Sequence, residues 1–261
     1  MTSELVLTTV TDGIATVTLN RPDKRNAMSD DMRTAFIETL EKITADKAIR
    51  ALILTGAGNG FCAGGDIAGM KRRMEAPQGE VGFNGWSRQQ HVHHTQMLLH
   101  TMPKPTIAAV NGAAAGLGAD TALACDFIIA SPSAHFAWSY ILRGLIPDGG
   151  GMYFLPRRVG LARAKDLIFT GRRVNADEAL ALGIADRLSG PDTLLAEAHA
   201  WASSLSKGSA TALALSKSIL DRSLESDAAE VFDRGSLAQG ICYTSAEHRE
   251  SVLAFLAKSG G

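Results

Sequence analysis

Two segments of this 261-residue chain repeat one pattern, in which an apolar run leads into a loop of small residues and then into the start of a helix. They read TGAGNGFCAGGDI, over residues 55–67, and VNGAAAGLGADTAL, over residues 110–123. The first N–H groups of a helix lack partners inside the helix, and small residues let a ligand approach them closely. Two such loops can therefore donate two N–H groups to one oxygen that gains negative charge during a reaction. Tight turns and close packing explain the same glycines without a ligand, so the pattern alone leaves both explanations open.

Short runs rich in valine, leucine, isoleucine and threonine recur along the first half of the chain. Two of them flank Asp12-Gly13 and predict a β-hairpin, because Asp-Gly is a preferred two-residue turn. The later runs predict buried strands. Together the predicted strands cover residues 4–10, 14–19, 51–56, 106–110 and 126–130.

Helices are predicted between and after these strands. Ser29 is a favoured N-cap, and a single helical stripe follows it, formed by Met32, Phe36, Ile37, Leu40 and Ile43. A second helix is predicted over residues 87–101, where Pro103 and Pro105 end it. From Leu161 to Leu256 the chain is predicted to be mostly helical. This order places the chain in the α/β class, with strands that feed the N-termini of helices.

Charge and cysteine content exclude several classes of protein. The formal net charge is −1, whereas a nucleic-acid-binding domain shows a strong basic excess, so we expect no nucleic-acid partner. The three cysteines have no paired spacing and are predicted to be reduced thiols. No apolar run approaches the roughly 20 residues that a membrane span needs, and the N-terminus lacks the pattern of a signal peptide. We therefore expect a cytoplasmic protein with no membrane partner.

The histidines do not predict a metal site. His91, His93 and His94 lie close together and His100 follows, but they lack the helical i,i+4 pair with a carboxylate that is found in H-E-x-x-H. We expect no metal ion. Together with Trp86, this segment is predicted to cover a pocket or to lie on the surface.

A longer series of motifs resembles the crotonase superfamily, the family of enoyl-CoA hydratases and isomerases. The motifs occur in order along nearly the whole chain and read LNRPDKRNAM, LILTGAGNGFCAGGD, KPTIAAVNG, GLIPDGGGMYFLPRRVG, TGRRVNADEALALGIAD and EHRESVLAFLAKS. The resemblance implies a crotonase fold, an α/β fold in which repeated ββα units form a spiral, followed by a helical segment used for trimerisation. We accordingly divide the chain into a core with an acyl-CoA site, residues 1–190, and a helical C-terminal segment, residues 191–261.

The resemblance also implies how an acyl-CoA substrate is held. The family's oxyanion hole uses two backbone N–H groups, which fall here on Ala63 and Leu117. Many relatives have glycine at the second position, and leucine keeps the N–H. Coenzyme A is part of the substrate, so no separate cofactor is expected. The implied substrate-binding residues are Lys24, Asn26, Ala27, Gly64, Gly65, Asp66, Ile67, Gly116, Tyr140, Phe255 and Lys258, of which the last two match positions that often reach a neighbouring subunit's CoA.

Two aspartates are candidates for moving a proton. Hydratases of this family typically place two glutamates over the substrate double bond, and the matching positions here hold Asp120 and Tyr140. One carboxylate is thus missing and the other is one methylene shorter, which argues against simple hydration. Asp148 matches an aspartate that shuttles the proton in isomerase branches, and burial would raise its pKa toward the range that a shuttle needs. Without the resemblance, Asp148 is explained as an N-cap and Asp120 as a first-turn acid that complements the helix dipole.

The branch that the chain most resembles is that of 1,2-epoxyphenylacetyl-CoA isomerase, and the expected reaction is double-bond isomerisation in an enoyl-CoA, with Asp148 as acid and base. The alternatives are hydration of a 2-enoyl-CoA through Asp120 and a water, attack by Asp148 on an aromatic acyl-CoA, and acyl-CoA binding without turnover. RNA binding, known among crotonase relatives, is disfavoured by the net charge. The expected partners are acyl-CoA and further copies of the chain, as a homotrimer or a dimer of trimers.

Overall fold

The computed structural model describes residues 4–259, and its strands form two sheets. The larger sheet has the strand order β1-β2-β3-β5-β7-β10, and the smaller has the order β4-β6-β8-β9. Within them β1 and β2 are antiparallel, as are β8 and β9, and the other neighbouring strands are parallel. The strands are β1 (Val6–Thr11), β2 (Ile14–Leu19), β3 (Ala51–Gly56), β4 (Gly60–Cys62), β5 (Thr106–Val110), β6 (Ala113–Ala115), β7 (Phe127–Ala130), β8 (His135–Ala137), β9 (Arg173–Asn175) and β10 (Arg187–Leu188).

Helices cover the larger sheet and make up most of the second half of the chain. They are α1 (Asp30–Ala45), α2 (Ile67–Met74), α3 (Gln78–His100), α4 (Leu117–Leu123), α5 (Gly151–Val159), α6 (Leu161–Thr170), α7 (Ala176–Leu182), α8 (Leu194–Leu205), α9 (Ala210–Leu220), α10 (Ala228–Thr244) and α11 (Ala246–Ser259).

The chain alternates between the two sheets in a regular way. β3, β5 and β7 belong to the larger sheet, and each is followed after a short loop by a strand of the smaller sheet and then by a helix. This order confirms the predicted α/β architecture of repeated ββα units. Because β4, β6 and β8 run parallel, the loops that follow them leave the smaller sheet at the same edge.

Successive residues of the larger sheet face opposite sides, as the pleat of a strand requires. Leu52 and Leu54 pack in the large core cluster that includes Phe36 of α1. Ala51, on the opposite face, packs in a smaller cluster that includes Trp201 of α8. The sheet is therefore buried on both faces, which explains why its parallel strands are continuous apolar runs rather than alternating ones.

Most of the predicted elements of the first half are confirmed. β1 and β2 form the hairpin, and its turn residues Asp12 and Gly13 have φ of +51° and +73°, the positive values that a type I′ turn needs. The Ser29 side chain accepts a hydrogen bond from the N–H of Met32 at 3.2 Å and so caps α1. The second helix begins at Gln78 rather than at residue 87, because its polar first turns contain glycines that hid the helical pattern.

The smaller sheet is the main element that the sequence pattern did not predict. β4, β6 and β8 are each three residues long and are built largely from glycine, alanine and cysteine, which carry no strand signal. Two further short strands, β9 and β10, lie in the region predicted to be mostly helical.

The last two helices, α10 and α11, leave most of their large apolar side chains exposed, and those of α9 are mostly half-buried. Neither α9 nor α10 contains a buried residue, and Phe232 and Leu237 of α10 are 72% and 73% exposed. By contrast α8 packs on the larger sheet through Leu194, Ala198 and Trp201. In the described part of the chain, no helix combines the length and apolar character needed to cross a membrane. The cellular location stays a prediction.

Candidate active site

The two small-residue loops lie side by side because their short strands pair. β4 and β6 run parallel, with Gly60 opposite Ala113. Where the loops come closest, a β-carbon added to Gly64 would lie 2.6 Å from the carbonyl oxygen of Ala115, and Gly64 has a φ of +98°. Only glycine fits this position without strain. Residues of both loops line one open cleft of about 640 Å³.

Several backbone N–H groups at this cleft have no acceptor among the described residues, and those of Gly65 and Leu117 are two of them. The N–H of Gly65 is left without an acceptor because Met28 bonds to the residues on either side of Gly65. The N–H of Met28 donates to the carbonyl of Gly64 at 2.7 Å, and the N–H of Asp66 donates to the carbonyl of Met28 at 3.2 Å. Leu117 is the first residue of α4, where a helix provides no acceptor. Two unpaired donors beside one cleft are the minimum that an oxyanion hole requires.

The prediction that Ala63 supplies a free N–H does not hold. Ala63 lines the cleft, but its N–H donates to the carbonyl of Arg25 at 2.9 Å. Gly65, two residues later, has an N–H without an acceptor among the described residues. Both residues belong to the same small-residue loop, and only the pairing with the 25–28 segment distinguishes them.

Asn26, also predicted to bind the substrate, does not line the cleft. Asn26 is fully buried, and its side chain donates to the carbonyls of Ala57 and Gly60 and accepts from the N–H of Arg21, at 2.7 to 2.9 Å. Its φ is +57°, a conformation that asparagine tolerates better than most residues. Asn26 therefore holds the 21–27 loop against the connection between β3 and β4, and its neighbours form the cleft wall.

The remaining predicted binding residues of the core all line the cleft, namely Lys24, Ala27, Gly64, Gly65, Asp66, Ile67, Gly116 and Tyr140. Arg25, Arg143 and Arg173 line it as well, and the Asp66 carboxylate is paired with Arg21 at 3.3 Å. The cleft is thus rich in cationic side chains, which suits the phosphate groups of a nucleotide.

A smaller pocket of about 100 Å³ adjoins the cleft and is called here the inner pocket. Gly65 and Leu117 line both cavities, so their N–H groups lie where the cleft and the inner pocket meet. Among the described residues that line the inner pocket, Asp148 is the one carboxylate. The residues shared by the cleft and the inner pocket are Gly65, Met70, Leu117, Tyr140 and Leu145.

Asp148 is half-buried and does not cap the following helix. The N-cap of α5 is Gly150, and no side chain bonds there. Burial raises the pKa of the Asp148 carboxyl above its ordinary value, although the nearby charges of His93 and Arg88 oppose the rise. Asp148 also borders a second cavity, of about 840 Å³, between α3, α5, α9 and α10. A reachable carboxyl with a raised pKa is suited to take a proton and return it.

Two glycines hold the Asp148 turn against α4. A β-carbon on Gly149 would lie 2.6 Å from Cδ1 of Leu117, and one on Gly151 would lie 2.5 Å from Oδ1 of Asp120. Larger residues at either position would push the turn away from α4, and with it the Asp148 carboxylate.

Asp120 is fully buried in the first turn of α4 and borders neither the cleft nor the inner pocket. Its carboxylate accepts hydrogen bonds from Nε1 of Trp138 at 3.0 Å and from the hydroxyl of Tyr140 at 2.7 Å. Burial raises the pKa of Asp120 to about 7, although these two bonds lower it. Burial also raises the pKa of Tyr140 well above its ordinary value, so its hydroxyl stays a donor. Asp120 therefore positions the tyrosine whose ring lines the inner pocket.

The buried Asp120 predicts a pH-dependent stability. Its pKa of about 7 in the folded state exceeds the ordinary 3.8, so the folded state binds the proton more tightly. This contribution to stability is complete below the ordinary value and is lost as the pH rises through about 7. We expect the free energy of unfolding to fall by about 3 kcal/mol from this group between about pH 5 and about pH 8. Urea denaturation of Asp120→Asn, which cannot ionise there, should show a flatter dependence, and parallel curves for both proteins would refute this assignment.

Phe255 and Lys258 lie on α11 and border neither the cleft nor the inner pocket of their own chain. That they reach a neighbouring subunit's CoA stays a prediction.

Two polar residues of the inner pocket were not predicted, Arg88 and Gln89 of α3. The signal that could have found them is their spacing from Val92, because residues three and four apart share a helix face. Val92 is buried, so polar side chains on the same face of α3 point toward the protein interior and need polar partners there.

Known proteins resemble this chain over nearly its whole length. Residues 9–260 match the family model described as enoyl-CoA hydratase/isomerase. The chain is 38% identical to 1,2-epoxyphenylacetyl-CoA isomerase of Escherichia coli (strain K12), over 98% of this chain and 96% of that protein. It is 34% identical to a short-chain-enoyl-CoA hydratase of Clostridium acetobutylicum, over 94% and 92% of the two chains. Among solved structures, an enoyl-CoA hydratase from Bacillus anthracis matches with a TM-score of 0.90 at 30% identity, covering 98% and 97%.

Proposed function

The chain belongs to the enoyl-CoA hydratase/isomerase family, and from this premise we propose that it moves a double bond within an enoyl-CoA thioester. Coenzyme A is part of the substrate and occupies the outer cleft, where Lys24 and Arg25 are available to its phosphates. The acyl group enters the inner pocket past Gly65 and Leu117. The proton transfer needs no separate cofactor.

In the proposed reaction, Asp148 is the single proton carrier. Its carboxylate takes a proton from the carbon α to the thioester of a 3-enoyl group, and the electron pair moves onto the thioester oxygen as an enolate. The N–H groups of Gly65 and Leu117 donate to that oxygen and stabilise its charge. The protonated Asp148 then returns the proton to the γ carbon, and the double bond comes to lie between the α and β carbons. No atom is gained or lost.

One observation carries this proposal: the inner pocket holds a single described carboxylate, Asp148, beside two unpaired N–H donors. A group that alternates between base and acid is sufficient for isomerisation. Hydration also requires a water to be activated, and the position that matches the second glutamate of hydratases holds Tyr140.

Product mass tests the proposal simply. Isomerisation leaves the mass of the thioester unchanged, whereas hydration adds a water. We expect 3-enoyl-CoA incubated with the protein to give a product of unchanged mass that has the ultraviolet absorbance of a conjugated thioester. A product heavier by one water as the main species from a 2-enoyl-CoA would favour hydration instead.

Hydration of a 2-enoyl-CoA is the second candidate, because a relative at 34% identity is a short-chain-enoyl-CoA hydratase. In hydration, Asp120 would have to activate a water molecule for attack on the double bond. Asp120 supports this role less well, since both of its oxygens accept hydrogen bonds from Trp138 and Tyr140. Binding without turnover would be recognised by CoA affinity that persists in Asp148→Asn with no activity in either form.

We also propose that the chain assembles as a trimer or a dimer of trimers, with α9–α11 as the contact segment. The exposed apolar side chains of α10, including Phe232 and Leu237, support this, because a monomer rarely leaves so large an apolar surface in water. We expect sedimentation equilibrium to give the mass of three or six chains, and Phe232→Ser combined with Leu237→Ser to shift it toward one. A stable monomer of the unaltered protein would overturn the proposal.

A further inference from the structure

Three arginines surround one carboxylate beside the inner pocket. Asp30 forms ion pairs with Arg33, with Nε of Arg88 at 3.1 Å and with Nη1 of Arg73 at 3.7 Å. The side chains of Arg33 and Arg88 are only 6% and 14% exposed. Even with Asp148 ionised as well as Asp30, three guanidinium groups leave an excess of positive charge at this end of the site.

Several polar atoms of this cluster lack a partner. Nη1 of Arg33 and Oε1 of Gln89 are buried without a hydrogen bond. Arg88 donates to Asp30 through Nε, and no described residue accepts from its two terminal amino groups. Buried polar groups are nearly always hydrogen-bonded, and leaving a charged one unpaired is costly. Of these residues, Arg88 and Gln89 line the inner pocket. The buried Oε1 of Gln89 therefore points to a polar group that arrives from outside the chain, and the terminal amino groups of Arg88, which are not fully buried, are free to bind one.

The inner pocket is where such a group would arrive. Arg88 and Gln89 both line it, and most of the rest of its wall is apolar, as with Met70, Val92 and Ile146. The Gln89 amide can present either its N–H₂ or its carbonyl by a flip, so it can complete the coordination of an anion.

The size of the inner pocket limits what it holds. Its volume is about 100 Å³. A volume of that order holds about three water molecules. The pocket therefore suits a short acyl chain rather than a long one.

We propose that Arg88 selects acyl-CoA thioesters whose short acyl chain ends in a carboxylate, that is, the coenzyme A monothioesters of short dicarboxylic acids. The planar guanidinium binds a carboxylate through two parallel hydrogen bonds, which its unpaired amino groups are free to make. Asp30 holds Arg88 through Nε, and Arg33 and Arg73 keep the surroundings positive. This inference rests on the proposed function and names the substrate class of the same site.

Binding of two saturated thioesters tests it without turnover. Glutaryl-CoA and pentanoyl-CoA have acyl chains of equal carbon number and differ in the terminal carboxylate. We expect calorimetry to give about 30-fold tighter binding of glutaryl-CoA, the scale of a desolvated charge pair. Arg88→Met should abolish the preference, and Arg88→Lys, which keeps the charge but not the fork, should retain part of it. Arg72→Met removes an exposed arginine that lines neither the cleft nor the inner pocket, and it should keep the full preference.

Equal affinity of the unaltered protein for the two thioesters would overturn the inference. A folded Arg88→Met that loses the same affinity for glutaryl-CoA as for pentanoyl-CoA would overturn it as well. Activity separates this failure from that of the proposed function. Turnover of 3-pentenoyl-CoA without any preference for glutaryl-CoA overturns the inference alone. A clear glutaryl-CoA preference, with no turnover of 3-pentenoyl-CoA or of the matching enoyl thioester that carries a terminal carboxylate, overturns the proposed isomerisation alone.

Discussion

Asp148→Asn is expected to lower kcat for isomerisation of a 3-enoyl-CoA by about a thousandfold, within the range that general acid–base groups contribute. Asparagine has nearly the same shape but cannot accept the α proton. The affinity for a saturated acyl-CoA should persist, because the outer cleft and the two N–H donors are untouched. Stopped-flow absorbance of the conjugated product and calorimetry of the saturated thioester measure the two quantities separately.

Asp192→Asn is the matched control, since it makes the same chemical change at an exposed aspartate outside the cleft and inner pocket. It should leave kcat unchanged. The unaltered protein should also lose kcat/KM as the pH falls through the raised pKa of Asp148, because the carboxylate form is the base. Full activity in Asp148→Asn, with loss in Asp120→Asn, would mean that Asp120 carries the proton.

Leu117→Pro is expected to lower kcat by a factor of about 10² to 10³, the usual effect of removing one oxyanion-hole donor. Proline has no N–H, and Leu117 is the first residue of α4, the helical position that accepts proline best. The substitution therefore deletes the donor with little expected change to the helix. The binding of a saturated thioester should weaken far less than kcat, because the enolate needs the donor more than the ground state does.

Leu117→Ala separates the donor from the side chain. It shortens the side chain at the inner pocket and keeps the N–H, so most of the kcat should remain. If Leu117→Ala and Leu117→Pro lose the same activity while both stay folded by circular dichroism, the side chain matters and the N–H does not. Gly65 would then lack its partner donor, and the proposed oxyanion hole would be wrong.

The fold could be predicted from the sequence wherever the signal was local. The Asp12-Gly13 turn and the continuous apolar runs of the larger sheet follow from backbone preference and from burial on both faces. The smaller sheet could not be predicted in this way. Its three-residue strands, such as β6, are built from alanine and exist because the neighbouring strands supply their hydrogen bonds.

In the site, too, the roles of single residues depend on tertiary contacts that the local sequence does not predict. The small-residue loops predicted an N–H pair, but which N–H is free depends on how Met28 pairs with Gly64 and Asp66. Asn26 has the polarity of a ligand-binding residue, and only its burial and three internal hydrogen bonds reveal a structural role.

The acids and arginines of the site come together only through tertiary structure. Asp148 lies in a turn that Gly149 and Gly151 hold against α4, so no local sequence pattern predicts that it comes close to the Gly65 loop. Arg88 lies on α3, far from Asp30 in sequence, and its charge meets the inner pocket only after α3 packs on α1.

The central claim is that Asp148 moves a proton from the α to the γ carbon over an enolate held by two N–H groups. Proton NMR spectroscopy of a 3-enoyl-CoA and, separately, a 2-enoyl-CoA with the protein in deuterated water tests it most directly. We expect the olefinic signals of the 3-enoyl group to be replaced by those of a conjugated 2-enoyl thioester, with little 3-hydroxyacyl-CoA, and we expect no such change with Asp148→Asn. If 3-hydroxyacyl-CoA dominates and survives Asp148→Asn but not Asp120→Asn, the protein is a hydratase and the account given for Asp148 is wrong.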